Sequence, residues 1–255
     1  MDEWEQIAAQ FGVEIEQVRR DHLVSHVLAA ISSDISTNDV TFFGGTALSR
    51  THLTDARLSE DIDLIARAPR RQVAGHIESA VRRGLARSHG LPSWHPQLSD
   101  TKGSQPAVLT VPAGTSIQIQ LLSGEGYLWP TEVVRIKQRY SDAPPARLRV
   151  LTADSFAAAK LSAWIHRGAP RDLYDLWAMS VRGIVGPSAV EVFVAYGPFG
   201  RLPPAWVFDR GPDEGEWSSA LANQTDLRVT AQDAMTAVRT AWLAAGGGLD
   251  SFRTK

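Results

Sequence analysis

The chain has 255 residues, 44% hydrophobic and 21% charged, with a formal net charge of −2 and no cysteine. That is globular composition, enough for one large domain or two modest ones, and it excludes disulfides, thiolate metal sites and cysteine nucleophiles. No run of about 18 apolar residues is present to span a membrane, and the acidic start MDEWEQIAAQ lacks a signal-peptide profile, so a cytoplasmic location is expected.

In chain order, residues 3–11 and 14–32 read as helices, with Ile15, Val18, His22, Val24 and Leu28 at roughly helical spacing. The polar stretch STNDV (36–40) leads into a strand, VTFF (40–43), which Gly44–Gly45 ends. TALSRTHL (46–53) follows as a helix with Thr46 as its N-cap, and DIDLIA (61–66) alternates as a second strand. A helix over 70–90 closes at Gly90. AVLTVPA (107–113) and SIQIQLLS (116–123) form an antiparallel hairpin. The proline-bearing stretch 140–156 marks a boundary and contains the strand-like RLRVL. Beyond it come helices over 153–167, 170–182 and 188–196, a Gly/Pro/Trp loop over 197–216, and a last helix over about 230–245 that stops at Gly246–Gly248. The expected domains are therefore an α/β unit over 1–150 and a mainly helical unit over 151–255, in the α+β class.

Charge is uneven along this order. Residues 1–64 hold 4 Lys/Arg against 12 Asp/Glu, 65–150 hold 12 against 5, and 151–255 hold 10 against 11. The basic middle reads either as a surface for a phosphate-rich partner or as a solvated surface with uneven charge.

Asp61 and Asp63 are the residues that ask for chemistry. Side chains at i and i+2 of a strand share a face, so these carboxylates stand together, about 7 Å apart along the backbone, while Ile62 and Leu64 face a core. Two close carboxylates repel unless divalent cations neutralise them, and Mg²⁺ prefers such oxygens together with substrate phosphates. Gly44–Gly45, at a strand-to-helix turn, exposes backbone N–H groups with no side chain in the way, which suits a triphosphate. A lone Gly-Gly is ordinarily a turn and a lone D-x-D can be chance; in strand–GG–helix–strand order the two reinforce each other.

GGTAL…HL…RLSEDIDL resembles the signature of the AbiEii/AbiGii toxin family of nucleotidyltransferases, a branch of the DNA polymerase β-type superfamily that includes the MenT toxins. AAAKLSAWIHRGAPRDLYDLWAM (157–179) is similar to that family's K-L-x-A…R-D-x-x-D-L block. The resemblance implies a nucleotidyltransferase-type mixed sheet flanked by helices, followed by a helical C-terminal domain. It places Gly44, Gly45 and Thr46 on the glycine turn, and Arg57 and Ser59 ahead of the metal acids, with Ser59 near the nucleotide phosphates. It makes Asp61 and Asp63 the metal ligands, sets Lys160 facing the triphosphate, and puts Arg171, Asp172 and Asp175 in the second block. It further implies Mg²⁺ (or Mn²⁺), an NTP substrate, the tRNA 3′ end as acceptor with blocked translation, and a separate antitoxin. Alternatives are transfer to a small molecule or protein, and a catalytically idle nucleotide-binding regulator.

Read from spacing alone, the second block is also a well-capped helix hairpin. Pro170 suits its first position, Asp172 suits its first turn, and Arg171 and Asp175 are spaced to pair. Superfamily enzymes often carry a third carboxylate on a later strand; SIQIQLLS offers Gln118 and Gln120 there, and Glu125 lies just beyond. His22, His26 and His52 read as core or surface histidines, and Trp94 and Trp129 as packing residues or base-stacking platforms.

Overall fold

The computed structural model describes residues 2–250, and side chains through residue 247. The chain forms two compact units, one of residues 1–127 with 131–150, the other of 128–130 with 151–255.

The first unit is built on a seven-stranded mixed sheet. Its strands are β1 (Val40–Phe43), β2 (Ile62–Ala66), β3 (Ser93–His95), β4 (Ala107–Thr110), β5 (Ser116–Ser123), β6 (Thr131–Ile136) and β7 (Ala146–Leu151), in the order β3-β4-β5-β2-β1-β7-β6. β1 runs antiparallel to β2 and parallel to β7, and β2 runs parallel to β5. Phe42, Ile62, Leu64, Ile119 and Leu121 are each fully buried, so this face is the core. Helices α2 (Ile15–Asp34) and α4 (Arg70–Leu85) pack on one another and on β5 to cover it. The other face carries Phe43, Asp63 and Gln120, all only partly buried. This alternation is the period-two pattern that DIDLIA shows in the sequence.

Several boundaries differ from the sequence reading, each for a local reason. α3 is Gly44–Ser49, with Phe43 as N-cap and no side-chain cap, so the glycines open the helix and Thr46 lies inside it. α4 stops at Leu85, and Gly90, at φ +78°, sits in the turn beyond. β3 has three residues set between Pro92 and Pro96, too short for an alternation to show. β6 is at the sheet edge and its first four residues are all half-buried, so no apolar face marks it.

A buried charge network ties α2 to the segment that ends α3. Arg50, fully buried, meets Asp21 at 2.8 Å and also donates to the Asp21 and Lys137 carbonyls. Arg139 reaches the same Asp21 oxygen at 3.0 Å and donates to the Ser49 carbonyl. The Tyr140 hydroxyl donates to the other Asp21 oxygen. Burial drives the Arg50 guanidinium down to about 10, with Asp21 opposing it, so Arg50 is charged at neutral pH. Leu58 anchors the loop before β2 in a cluster with Ile7 and Phe11 of α1 (Glu3–Phe11), Val18 and Tyr140.

The second unit is helical: α5 (Ala153–Arg167), α6 (Pro170–Val181), α7 (Pro187–Tyr196), a 3-10 turn at Ala205–Phe208, α8 (Glu214–Leu221) and α9 (Ala231–Asp250). Thr152 caps α5, Gly168 ends it at φ +60°, and Pro170 opens α6. Two differences from the sequence reading stand out. α8 occupies part of the expected loop and starts on a capping box between Asp213 and Glu216. α9 runs through Gly246–Gly248, where a stop is expected. Burial of Val238 and Trp242 on one face of α9 outweighs the cost of about 1 kcal/mol per helical glycine. Trp129 packs on Tyr196, centroids 5.9 Å apart. Among the described residues no helix is long and apolar enough to cross a membrane.

Candidate active site

The antiparallel register sets Phe43 opposite Asp63, so the residue after Phe43, Gly44, meets the Asp63 side chain. Gly44 has φ +76°, and a Cβ built on it would lie 2.1 Å from Asp63 Oδ2. At Gly45 a Cβ would lie 2.8 Å from Arg57 Nη2 and 3.0 Å from Ser59 Oγ. The glycine pair is therefore the floor of a polar cluster, and three of the site residues expected from the sequence close over it. The Thr46 hydroxyl donates to the Asp61 carbonyl and lies 2.9 Å from the Ser59 hydroxyl. Arg57, buried, donates to the Leu58 carbonyl.

β2 begins at Ile62, so Asp61 is the residue just before the strand. Asp61 is exposed and Asp63 half-buried, whereas Ile62 and Leu64 are in the core. Two hard oxygen donors at i and i+2, the outer one open to solvent, fit a divalent cation that also takes phosphate oxygens. In the parallel pairing Asp63 stands beside Gln120, whose amide donates to the Ser104 carbonyl. A neutral side chain thus holds the position next to Asp63 where a third acid is looked for.

On the same sheet face as Asp63 lies a cleft of about 540 Å³, lined by Thr41, Ile65, Arg67, Arg70, Glu125 and Tyr127 among others. The Tyr127 phenol is raised well above its ordinary range, by burial first and by the Asp63 charge second. Its hydroxyl is thus a hydrogen-bond donor within the field of Asp63. Nothing in the sequence singles out Tyr127, which lies in a glycine-flanked turn far along the chain from the acids.

In the helical unit the second motif forms one ion cluster. Lys160 Nζ lies 3.0 Å from Asp172 Oδ1 and 2.7 Å from Asp175 Oδ2, and Arg167 Nε lies 2.6 Å from Asp172 Oδ2. Lys160, Asp172 and Asp175 are all buried, while Arg171 is exposed. The contact between Asp175 and Lys160 is one that the spacing of Arg171 and Asp175 does not suggest. Burial by itself would raise the Asp172 carboxyl; Lys160 and then Arg167 outweigh it and hold the group below the ordinary carboxylate range. A depressed carboxyl stabilises the fold above its unfolded value and loses that contribution as pH falls through its folded value. Asp172→Asn is accordingly expected to lower the urea midpoint at pH 7 and to flatten the loss of stability as pH falls through and below the ordinary carboxylate range. A parallel acid limb in the two proteins would remove this role from Asp172.

A mixed sheet with the Asp63 carboxylate seated over a glycine turn, in a chain that also carries a helical unit, suits nucleotidyl transfer. The model of the family described as "Nucleotidyl transferase AbiEii toxin, Type IV TA system" matches residues 26–245, and the chain belongs to that family. It is thus a nucleotidyltransferase toxin of the type IV toxin–antitoxin class. Among solved structures, the nucleotidyltransferase toxin MenT4 from Mycobacterium tuberculosis superposes with a TM-score of 0.67 at 20% identity, over 89% of this chain and 83% of that one. A nucleotidyltransferase from H. pylori superposes with a TM-score of 0.54 at 12% identity, over 94% and 99%. Both likenesses bear on the fold. Comparison with curated proteins returns no match.

Proposed function

We propose that the protein transfers a nucleoside monophosphate from an NTP to the 3′ end of tRNA, so blocking translation, and that a cognate antitoxin opposes it. The observation that carries this reading is the Asp63 carboxylate seated over Gly44, with Arg57 and Ser59 over Gly45. In the proposed arrangement the amides of Gly44, Gly45 and Thr46, with the Ser59 hydroxyl and Arg57, orient the phosphate tail. First-turn amides have no partner within their own helix and are free to donate. Asp61 and Asp63 would hold Mg²⁺ (or Mn²⁺), which when bound supplies charge neutralisation at the phosphates. The acceptor hydroxyl attacks the α-phosphorus, the bond to the β-phosphate oxygen breaks, and pyrophosphate leaves. The chain contributes position and fixed charge.

Lys160 and Arg171 enter by motif match, as groups for the triphosphate, with Asp172 and Asp175 as the catalytic acids of the second block. The ammonium of Lys160 is already held by two carboxylates, so a phosphate would compete with Asp172 and Asp175 for it. Exposed Arg67, Arg71, Arg82, Arg87 and Lys102 in the basic middle support an RNA partner. Other cations there are committed to the fold, among them Arg70, bound to the Leu121 carbonyl, and Arg139.

The test is incubation with each of the four α-labelled NTPs, once with tRNA and once with cell protein. Label is expected on tRNA, removable by a 3′ exonuclease; label confined to protein, or to neither, defeats the tRNA assignment. The second reading, an idle nucleotide-binding regulator, is favoured by Gln120 standing beside Asp63. It predicts an NTP-dependent rise in melting temperature with no label transferred to any acceptor.

A further inference from the structure

Read from the sequence, His22 and His26 are core or surface histidines, yet the fold brings them together with two residues from distant segments. His22 Nε2 lies 3.1 Å from both oxygens of Asp142, and His26 Nε2 lies 3.4 Å from Asp142 Oδ2. The ligand atoms of the three residues all fall within 4.8 Å of one another. His22 Nδ1 is 3.2 Å from His89 Nε2, and His89 Nδ1 is 2.9 Å from Ser88 Oγ. His26 is 6% exposed, and its Nε2 faces the Asp142 carboxylate at that long 3.4 Å contact.

We propose that His22, His26 and Asp142 form a zinc site, separate from the carboxylates of the nucleotidyltransferase cleft. Three observations converge. Tetrahedral zinc with bonds of about 2.0–2.1 Å has ligands roughly 3.3 Å apart, which matches the separations of Asp142 from both imidazoles. A cation at their centre would give the buried His26 Nε2 a short bond in place of its long contact with an exposed carboxylate. The outer contacts also allow the hydrogen-bond sense a metal-bound imidazole needs. With His22 Nε2 on the metal, Nδ1–H donates to His89 Nε2, and His89 Nδ1–H donates to Ser88 Oγ. Imidazole with carboxylate selects zinc-like ions over Mg²⁺. The site would staple α2 to the turn after α4 and to the loop between β6 and β7.

The experiment uses the full chain carrying Asp61→Asn and Asp63→Asn, so that the cleft acids do not compete for metal. Titrated with Co²⁺, it is expected to bind one ion per chain with the visible absorption of four-coordinate cobalt, which one equivalent of Zn²⁺ then displaces. Adding Asp142→Asn, at an exposed position whose change leaves the core intact, is expected to weaken binding more than tenfold. It also abolishes the rise in melting temperature that Zn²⁺ gives the parent. His26→Gln acts in the same direction, and His89→Gln weakens binding by about 10–100-fold through orientation of His22. Absence of stoichiometric cobalt or zinc in the parent overturns the site. So does affinity unchanged by both Asp142→Asn and His26→Gln. Metal content and spectrum read this directly, whatever the nucleotidyltransferase assays give.

Discussion

Asp63→Asn is expected to lower nucleotide transfer by about 10²–10³-fold while leaving the melting temperature nearly unchanged. The amide keeps the shape of the side chain over Gly44 and removes only its charge, so the loss isolates the electrostatic role of the carboxylate. Gly44→Ala should give a loss of the same order by the opposite route, keeping the charge and moving it. Its Cβ would fall 2.1 Å from Asp63 Oδ2, and the residue sits at φ +76°, where an L side chain is strained by roughly 1–2 kcal/mol. Either the carboxylate leaves its place or the turn opens. Gly75→Ala is the control. That glycine lies mid-helix in α4 with nothing within 4 Å of the added Cβ, so activity should hold and stability rise by about 0.5–1 kcal/mol. Full transfer by Gly44→Ala, measured with labelled NTP and acceptor, would show that the seat of Asp63 over the glycine is irrelevant to catalysis.

Asp21→Ala is expected to destabilise the protein by about 3–5 kcal/mol. The residue is fully buried, and its removal strands Arg50, also fully buried and charged at neutral pH. Arg139 loses the same partner. Burial opposes the charge on Arg50 and Asp21 favours it, so the pair need not add much net stability. Breaking one partner is nonetheless far worse than never having built the pair. Thermal unfolding should show a drop on the order of 10 °C. Since Arg50 directly follows α3 and Arg139 holds the Ser49 carbonyl, nucleotide transfer should fall as well, although no residue of the cleft has changed. A melting temperature within a degree or two of the parent would mean that Arg50 finds other partners.

The elements nearest the cleft were also the most legible from the sequence. VTFF is read as the strand that forms, and DIDLIA needs only its first residue removed, because polar and apolar residues alternate through Leu64 and the buried Ile65 and Ala66 complete an apolar strand end. The role of the glycines is less visible. They read as a turn that bares amides, whereas the structure adds that Asp63, Arg57 and Ser59 occupy the very space their missing side chains leave. That fact depends on cross-strand register, which no local window contains. Tyr127 and the His22–His26–Asp142 group were hidden for a related reason, since their partners are 60 to 120 positions away. The second motif was legible as a capped helix hairpin, but not its buried pairing of Lys160 with both aspartates. At the C-terminus, Gly246–Gly248 misleads because local propensity is weaker than the burial of Trp242 one turn earlier.

One property of the polar cluster at the glycine turn bears on how the protein is made. Gly44, Gly45, Thr46, Arg57, Ser59, Asp61 and Asp63 all come from a single excursion of about twenty residues between adjacent strands, so closing it costs little chain entropy. The flanking strands β5 and β7 begin some fifty and eighty residues further on. During synthesis the chemical groups therefore emerge together, well before the walls that order them. A nascent toxin chain carries its acids through the ribosome tunnel without the sheet that aligns them, and the cell meets a finished cleft only after most of the polypeptide is out.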